Sequence, residues 1–212
     1  MENKFGFVSL SGRTNVGKST LLNAFFQKKI AITSRKPQTT RNRILGILTE
    51  EKSQIVFLDT PGVHLGYKRQ LNKVMNKIAS HCYEEVDLVL FLIDRFKWQK
   101  EEENILKSLK NLNKPVVLVI NKIDRLRDKT KLLAFIKDIS EKFNFLSIVP
   151  ISALKKDNLM ELKSVILNNL EIGPYHFPED SLTEFSDNFF ISEIIREKAC
   201  LLYTSDAADD TC

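Results

Sequence analysis

Eight residues near the amino terminus, Gly12-Arg13-Thr14-Asn15-Val16-Gly17-Lys18-Ser19, fit the pattern G-x-x-x-x-G-K-S. These are the types that a phosphate chain needs. The glycines let main-chain amides close around an anion, the Lys18 ammonium reaches the outer phosphate oxygens, and the Ser19 hydroxyl can ligate Mg2+. The apolar run Phe5 to Leu10 precedes the loop, and Leu21, Leu22, Phe25 and Phe26 follow it at helical spacing. Strand, loop and helix in that order let the helix N-terminus add its dipole to the amides. Gly12, Asn15, Val16, Gly17, Lys18, Ser19 and Thr20 are the candidate phosphate-binding residues.

Three further segments complete a site. Asp59-Thr60-Pro61-Gly62 closes an apolar run. Asp59 sits where a carboxylate would hold Mg2+ through a water, and the Gly62 amide could approach a γ-phosphate, although the same four residues also make an ordinary turn. Asn121-Lys122-Ile123-Asp124 follows the apolar run Val116 to Ile120. The Asp124 carboxylate can accept two hydrogen bonds from the ring N–H and exocyclic amine of guanine, a donor pair that adenine lacks. Asn121 and Lys122 would brace that loop and cover the base. Ser152-Ala153 either turns the chain or offers a backbone amide to the guanine oxygen. Thr40, preferred to Thr39, would complete the Mg2+ shell when a triphosphate is bound. Lys18, Thr40 and Gly62 are the candidates for acting on the γ-phosphate, with Ser19, Thr40 and Asp59 as the Mg2+ set.

The elements that must position these residues alternate. Ile44 to Thr49 and Gln54 to Leu58 read as strands of an antiparallel hairpin. Leu71, Val74, Met75, Ile78 and Cys82 share one helical face. Asp87 to Ile93 and Val116 to Ile120 are apolar on both faces, as central parallel strands should be. Between them, acidic Glu101 to Glu103 opens a helix burying Ile105, Leu106, Leu109 and Leu112. Lys131 to Phe143 reads as a helix with Leu132, Phe135, Ile136, Ile139 and Phe143 inward. Leu146 to Val149 is a last short strand, and Asn158, with Glu161 three residues on, can cap a final helix through Leu170. The expected fold class is α/β, a mostly parallel sheet with one antiparallel edge hairpin and helices on both faces. Gly173 to Pro178 reads as the start of a linker.

Composition narrows the setting. The 212 residues are 43% hydrophobic and 28% charged, ordinary for a globular protein. There is no bilayer-length apolar run and no secretory pattern at Met1-Glu2-Asn3-Lys4, so a cytoplasmic location is expected. Cys82, Cys200 and Cys212 are too scattered for a disulfide framework or zinc site. The net charge is +5. Six basic and no acidic residues lie from Lys28 to Arg43, which suits either a phosphate-contacting surface or a solvated loop.

Taken together, Gly12–Ser19, Thr39–Thr40, Asp59–Gly62, Asn121–Asp124 and Ser152–Ala153 resemble the five motifs of translation-factor-class GTPases. Ile32 to Arg41, Val149 to Ala153, His176 to Asp180 and Ser192 to Lys198 are similar to the bacterial Era GTPases, within the TrmE-Era-EngA-like P-loop family. The resemblance covers Phe5 to Lys198. It implies a Ras-like G domain over residues 1–172, a linker over 173–188 and, over 189–202, the first helix of an RNA-binding KH domain. It also implies GTP hydrolysis at a slow intrinsic rate, a role in 30S subunit assembly through 16S rRNA, loose contact with the inner membrane, and a monomer. The sequence departs from the family in two ways. Thr14 stands where proline is usual, and no GxxG loop of a KH domain occurs. Residues 203–212 are therefore expected to be a disordered or non-native tail. Val63 follows Gly62, where Ras-like enzymes place a glutamine that orients the attacking water. In the family's light, Asn15 could hold K+ near the phosphates in compensation; a partner protein could supply the missing group instead. His64 is read as a bystander. Three alternatives stay open: another ribosome-assembly or tRNA-modifying GTPase, an ATPase or kinase, and a nucleotide-dependent binding switch with negligible hydrolysis.

Overall fold

Leu88-Val89-Leu90-Phe91-Leu92-Ile93 carries no polar residue because both faces of this strand are covered. Leu88, Leu90 and Leu92 join one buried cluster, while Val89, Phe91 and Ile93 join a second. Val117 and Val119 divide in the same way from Val116, Leu118 and Ile120. Alternation at a period of two thus sends each apolar run to two cores at once.

The computed structural model describes residues 3–27, 44–59, 86–110, 113–126, 128, 130–179 and 181. The described elements are β1 (Lys4–Ser11), α1 (Lys18–Phe26), β2 (Ile44–Glu50), β3 (Ser53–Asp59), β4 (Leu88–Asp94), α2 (Lys100–Lys110), β5 (Val116–Asn121), α3 (Thr130–Ser140), β6 (Ser147–Pro150), α4 (Leu159–Asn168) and β7 (Glu171–Ile172). Among the described residues they form one seven-stranded sheet in the order β2-β3-β1-β4-β5-β6, with β7 paired to β1. β2 runs antiparallel to β3, and the pairs from β3 through β6 are parallel. This is the expected α/β architecture, including the antiparallel edge hairpin.

Helix residues Leu21, Leu22 and Phe26 of α1 and Leu159, Leu162 and Ile166 of α4 fill the first core. Ile105, Leu106 and Leu109 of α2 and Ile139 of α3 fill the second. α2 has Glu101, Glu102 and Glu103 in its first turn and Lys107 and Lys110 in its last, matching both ends of its dipole. The buried Glu102 carboxylate also accepts from the Gln99 amide at 2.9 Å, satisfying one helix-start donor.

Four local expectations change. α3 stops at Ser140, and Phe143 lies beyond it while still packing against the second core. β6 is not the last strand, because β7 pairs antiparallel with the start of β1, Lys4 opposite Ile172. A two-residue strand has too short a pattern to be read from sequence. Asn158 sits at the start of α4 but makes no side-chain cap, because its backbone is left-handed at φ 59°. Its amide donates to the Pro150 carbonyl at 2.9 Å instead.

The segment read as the start of a linker is docked. Gly173 N–H donates to the Asn3 carbonyl, and the Tyr175 hydroxyl donates to the Glu50 carbonyl at 2.8 Å. The Gln54 amide, fully buried, accepts from the His176 and Phe177 N–H groups at 3.0 Å each and donates to the Phe177 carbonyl at 2.9 Å. His176 stacks on Phe5 with ring centroids 4.1 Å apart. The expected helix around Leu71 to Cys82, Leu112 and the expected helix from 189 to 202 lie outside the described residues.

Candidate functional site

Because β1, β3, β4, β5 and β6 are parallel, their carboxyl ends share one edge of the sheet. The loops that leave that edge carry the motifs, which is where ligands bind in sheets of this kind. The phosphate-loop glycines are needed sterically. Gly12 has φ +144°, and a Cβ there would come 2.5 Å from the Leu92 carbonyl oxygen. Gly17 has φ +105°, and its Cβ would collide with the Asn121 side-chain amide. Gly17 is also the residue that precedes α1, which begins without a side-chain cap. A helix start without a side-chain cap is the kind of turn that an anion can occupy.

Lys18 is buried, and its ammonium donates to the carbonyls of Gly12 and Arg13, both at 2.9 Å. A buried ammonium must find such partners. Val16 is packed into the first core, which anchors the loop from below. Arg13 ties the loop to α2. Its Nη1 donates to Gln99 at 3.0 Å, and its Nε lies 2.8 Å from a Glu102 oxygen, a charge contact rather than an aligned hydrogen bond.

Asn121, at the end of β5, holds three loops together. Its amide donates to the Val16 carbonyl at 2.8 Å, and its oxygen accepts from the N–H of Lys122 at 2.8 Å and of Ala153 at 3.0 Å. Lys122 reaches the same loop from outside, donating to the Asn15 carbonyl at 2.6 Å and to Asp94 at 3.0 Å. The Asp124 carboxylate is exposed and accepts from the Ser152 hydroxyl at 2.6 Å. That bond orients an acid which would otherwise rotate freely. A cleft of about 160 Å³ lies between these groups, lined by Gly17, Thr20, Asn121, Lys122, Asp124 and Leu154 among others.

At the Ser152–Ala153 pair both backbone amides have partners within the protein. Ser152 N–H donates to the Asp157 carbonyl and Ala153 N–H to Asn121, so any base oxygen would share the Ala153 donor. Four contributors were not visible in the motifs. Asp94 closes β4 and holds both Lys122 and Arg95, the latter at 2.7 Å. Burial opposes its charge, but the hydrogen bonds from Arg95 and Lys122 prevail and hold its carboxyl below the usual carboxylate value. A lone acid ending a wholly apolar strand at the ligand edge was the available signal. Leu154 is exposed and lines the cleft. Glu102 and Gln99, on and before α2, position the loop through Arg13. Thr40, Gly62, Val63 and the 28–43 basic segment lie outside the described residues. Asp59 closes β3 opposite Leu10, with its side chain outside them.

Known proteins resemble the whole of this arrangement. A family model described as 50S ribosome-binding GTPase matches residues 7–122. GTPase Era of Haemophilus influenzae (strain PittGG) is 51% identical over 193 residues, covering 91% of this chain and 64% of the relative. GTPase Era of Yersinia enterocolitica is 48% identical over the same share of each chain. A crystal structure of Era with MgGDPNP and nucleotides 1506–1542 of 16S ribosomal RNA superposes with a TM-score of 0.88 at 44% identity, covering 93% of this chain and 67% of that one. Aquifex aeolicus Era bound to GDP and AlF4⁻ gives the same TM-score and identity over 94% and 68%. The chain thus spans about 64% of the length of the curated relatives it matches.

Proposed function

The chain belongs to the Era family of P-loop GTPases, and on that premise we propose that it binds GTP and GDP with Mg2+ and hydrolyses GTP to GDP. The cycle would serve as a switch in 30S subunit assembly and 16S rRNA maturation. The observation that carries the nucleotide reading is Asn121. One side chain joins the phosphate loop, through Val16, to the loop of the base-reading acid and to Ala153. A ligand spanning phosphate loop and Asp124 would need this spacing held fixed.

In this reading Asp124, oriented by Ser152, accepts the two guanine donors, while Lys122 and Leu154 flank the base. Lys18 exchanges the Gly12 and Arg13 carbonyls for β- and γ-phosphate oxygens, so its charge is pre-positioned where negative charge develops. The donor set suits Mg2+: Ser19, next to Lys18 in the first turn of α1, offers a hydroxyl as a hard oxygen ligand, with Thr40 and Asp59 as its proposed companions. When bound, Mg2+ held by these residues would supply positive charge against the phosphates. Asn15 is the proposed K+ contact. Its backbone is left-handed at φ 61°, and its carbonyl is fixed by Lys122.

Residues 1–172 are assigned to the nucleotide-binding domain. Support for a ribosomal role comes from relatives: the Era complex named above contains 16S ribosomal RNA. The proposal extends to a cytoplasmic monomer with peripheral inner-membrane contact, which the sequence resemblance implies. Among the described residues no helix is long and apolar enough to cross a membrane. Calorimetry with GTP, GDP and ATP tests the core of the proposal: tight guanine-nucleotide binding with Mg2+ is expected, and equal affinity for ATP refutes it.

A further inference from the structure

A second concavity lies along α2 beside the chain just after α3, and shares no residue with the nucleotide cleft. Its volume is about 280 Å³, and it is lined by Trp98, Glu103, Leu106, Lys107, Lys110 and Lys142. Trp98 is wedged edge-on against Phe91 of the second core, with centroids 6.0 Å apart and planes at 71°. The Lys142 ammonium stands over the indole at 6.0 Å from its centre.

The indole Nε1 is buried and has no hydrogen-bond acceptor among the described residues. A buried donor left so is a cost to folding, and it holds the indole edge inside the protein rather than open to a ligand. Lys107 and Lys110 are three residues apart on one helix face and so project side by side. Three ammonium groups therefore surround an apolar wall made of Leu106 and the indole. Ring plus cations is the composition of sites that follow a single strand of nucleic acid, where the ring meets a base or sugar and the cations meet phosphates. Glu103, the one carboxylate in the lining, matches the amino groups of a base and has no counterpart on a run of carboxylates. The excess of +5 over the whole chain adds to the attraction for a polyanion.

We propose that this pocket binds the backbone of a single-stranded nucleic acid, with phosphates among Lys107, Lys110 and Lys142 and the strand lying against Trp98 and Leu106. The site goes beyond the nucleotide reading and does not depend on it. Trp98 is the only tryptophan in the 212 residues, so its emission reports on this pocket alone.

Titration of the full chain with an oligouridylate of about twelve nucleotides, a length within the range of known single-strand sites, should change that emission saturably. The slope of log K against log salt should be about −2, for three phosphate contacts at about −0.7 each. The triple variant Lys107→Gln/Lys110→Gln/Lys142→Gln should lose at least tenfold in affinity and most of that slope. GDP binding measured in parallel should be unchanged. Should the triple variant fail to fold, Lys142→Gln alone should lower the slope by about 0.7. No emission change, binding undiminished in the lysine variants, or a stronger response to poly-glutamate than to oligouridylate would each overturn the proposal.

Discussion

Asn121→Ala isolates the joint on which the candidate nucleotide site depends. The substitution removes three hydrogen bonds at once and leaves two buried partners, the Val16 carbonyl and the Ala153 N–H, without their companion. Each orphaned group costs about 1–3 kcal/mol. The third bond, to the partly buried Lys122 N–H, is worth about 1 kcal/mol. The total is about 3–5 kcal/mol, allowing for relaxation. For a domain of this size each kcal/mol moves Tm by about 2–4 °C, so a fall of about 6–20 °C is expected. Part of the loss should recur as weaker nucleotide binding, because GDP would have to re-order two loops that Asn121 holds in advance. A drop of a hundredfold in affinity corresponds to about 2.7 kcal/mol of that ordering. Differential scanning calorimetry and GDP titration measure the two parts. Asn121→Asp sharpens the test, since it keeps the two acceptor bonds but sets an oxygen against the Val16 carbonyl. If Asn121→Ala melts within about 2 °C of the parent and binds GDP equally well, the joint carries no such energy.

Gly17→Ala should be at least as damaging to GDP binding as Asn121→Ala, because its Cβ falls on the Asn121 amide and its φ of +105° disfavours any side chain; a binding titration decides. Asp124→Asn should weaken GTP about 10²- to 10³-fold by removing two charge-assisted bonds, while leaving Tm nearly unchanged, as read by calorimetry. Asp94 has a folded pKa below its unfolded value. Its contribution to stability is therefore complete above about pH 4 and disappears as pH falls through the folded pKa. Asp94→Asn should lower Tm at neutral pH and flatten the acid limb of a Tm–pH profile, and an unchanged limb would remove Asp94 from the network. Hydrolysis should run faster in K+ than in Na+, with the difference abolished in Asn15→Ala; equal rates in the two salts count against an ion at that residue.

The parts of the fold that the sequence made legible are those governed by local repetition. Leu88 to Ile93 and Val116 to Ile120 could only be strands covered on both faces, and the two buried clusters confirm why no polar residue interrupts them. Gly12, Gly17 and Lys18 were identifiable because loop geometry dictates their types. Long-range satisfaction was not legible. Gln54 occupies a strand position of unremarkable type, yet it is fully buried because its partners at residues 176 and 177 arrive more than a hundred residues later. Asn158 has the type and spacing of a cap, but a left-handed backbone sends its amide to Pro150. Lys122 was expected to cover a base, and its hold on Asp94 depends on β4 and β5 being neighbours, which pairing alone decides.

The Gln54 clamp has a mechanical consequence. β3 is an unbroken rod whose Asp59 end stands at the ligand edge and whose Gln54 end grips residues 176 and 177, about 17 Å away at strand rise. β2 returns alongside it, so both ends of the hairpin near the ligand edge are rigidly joined to the same far anchor. The stretch of polypeptide after β7 is therefore moored not to the ligand edge but to the opposite end of the sheet, and any tug along the hairpin arrives there as a pull on its mooring.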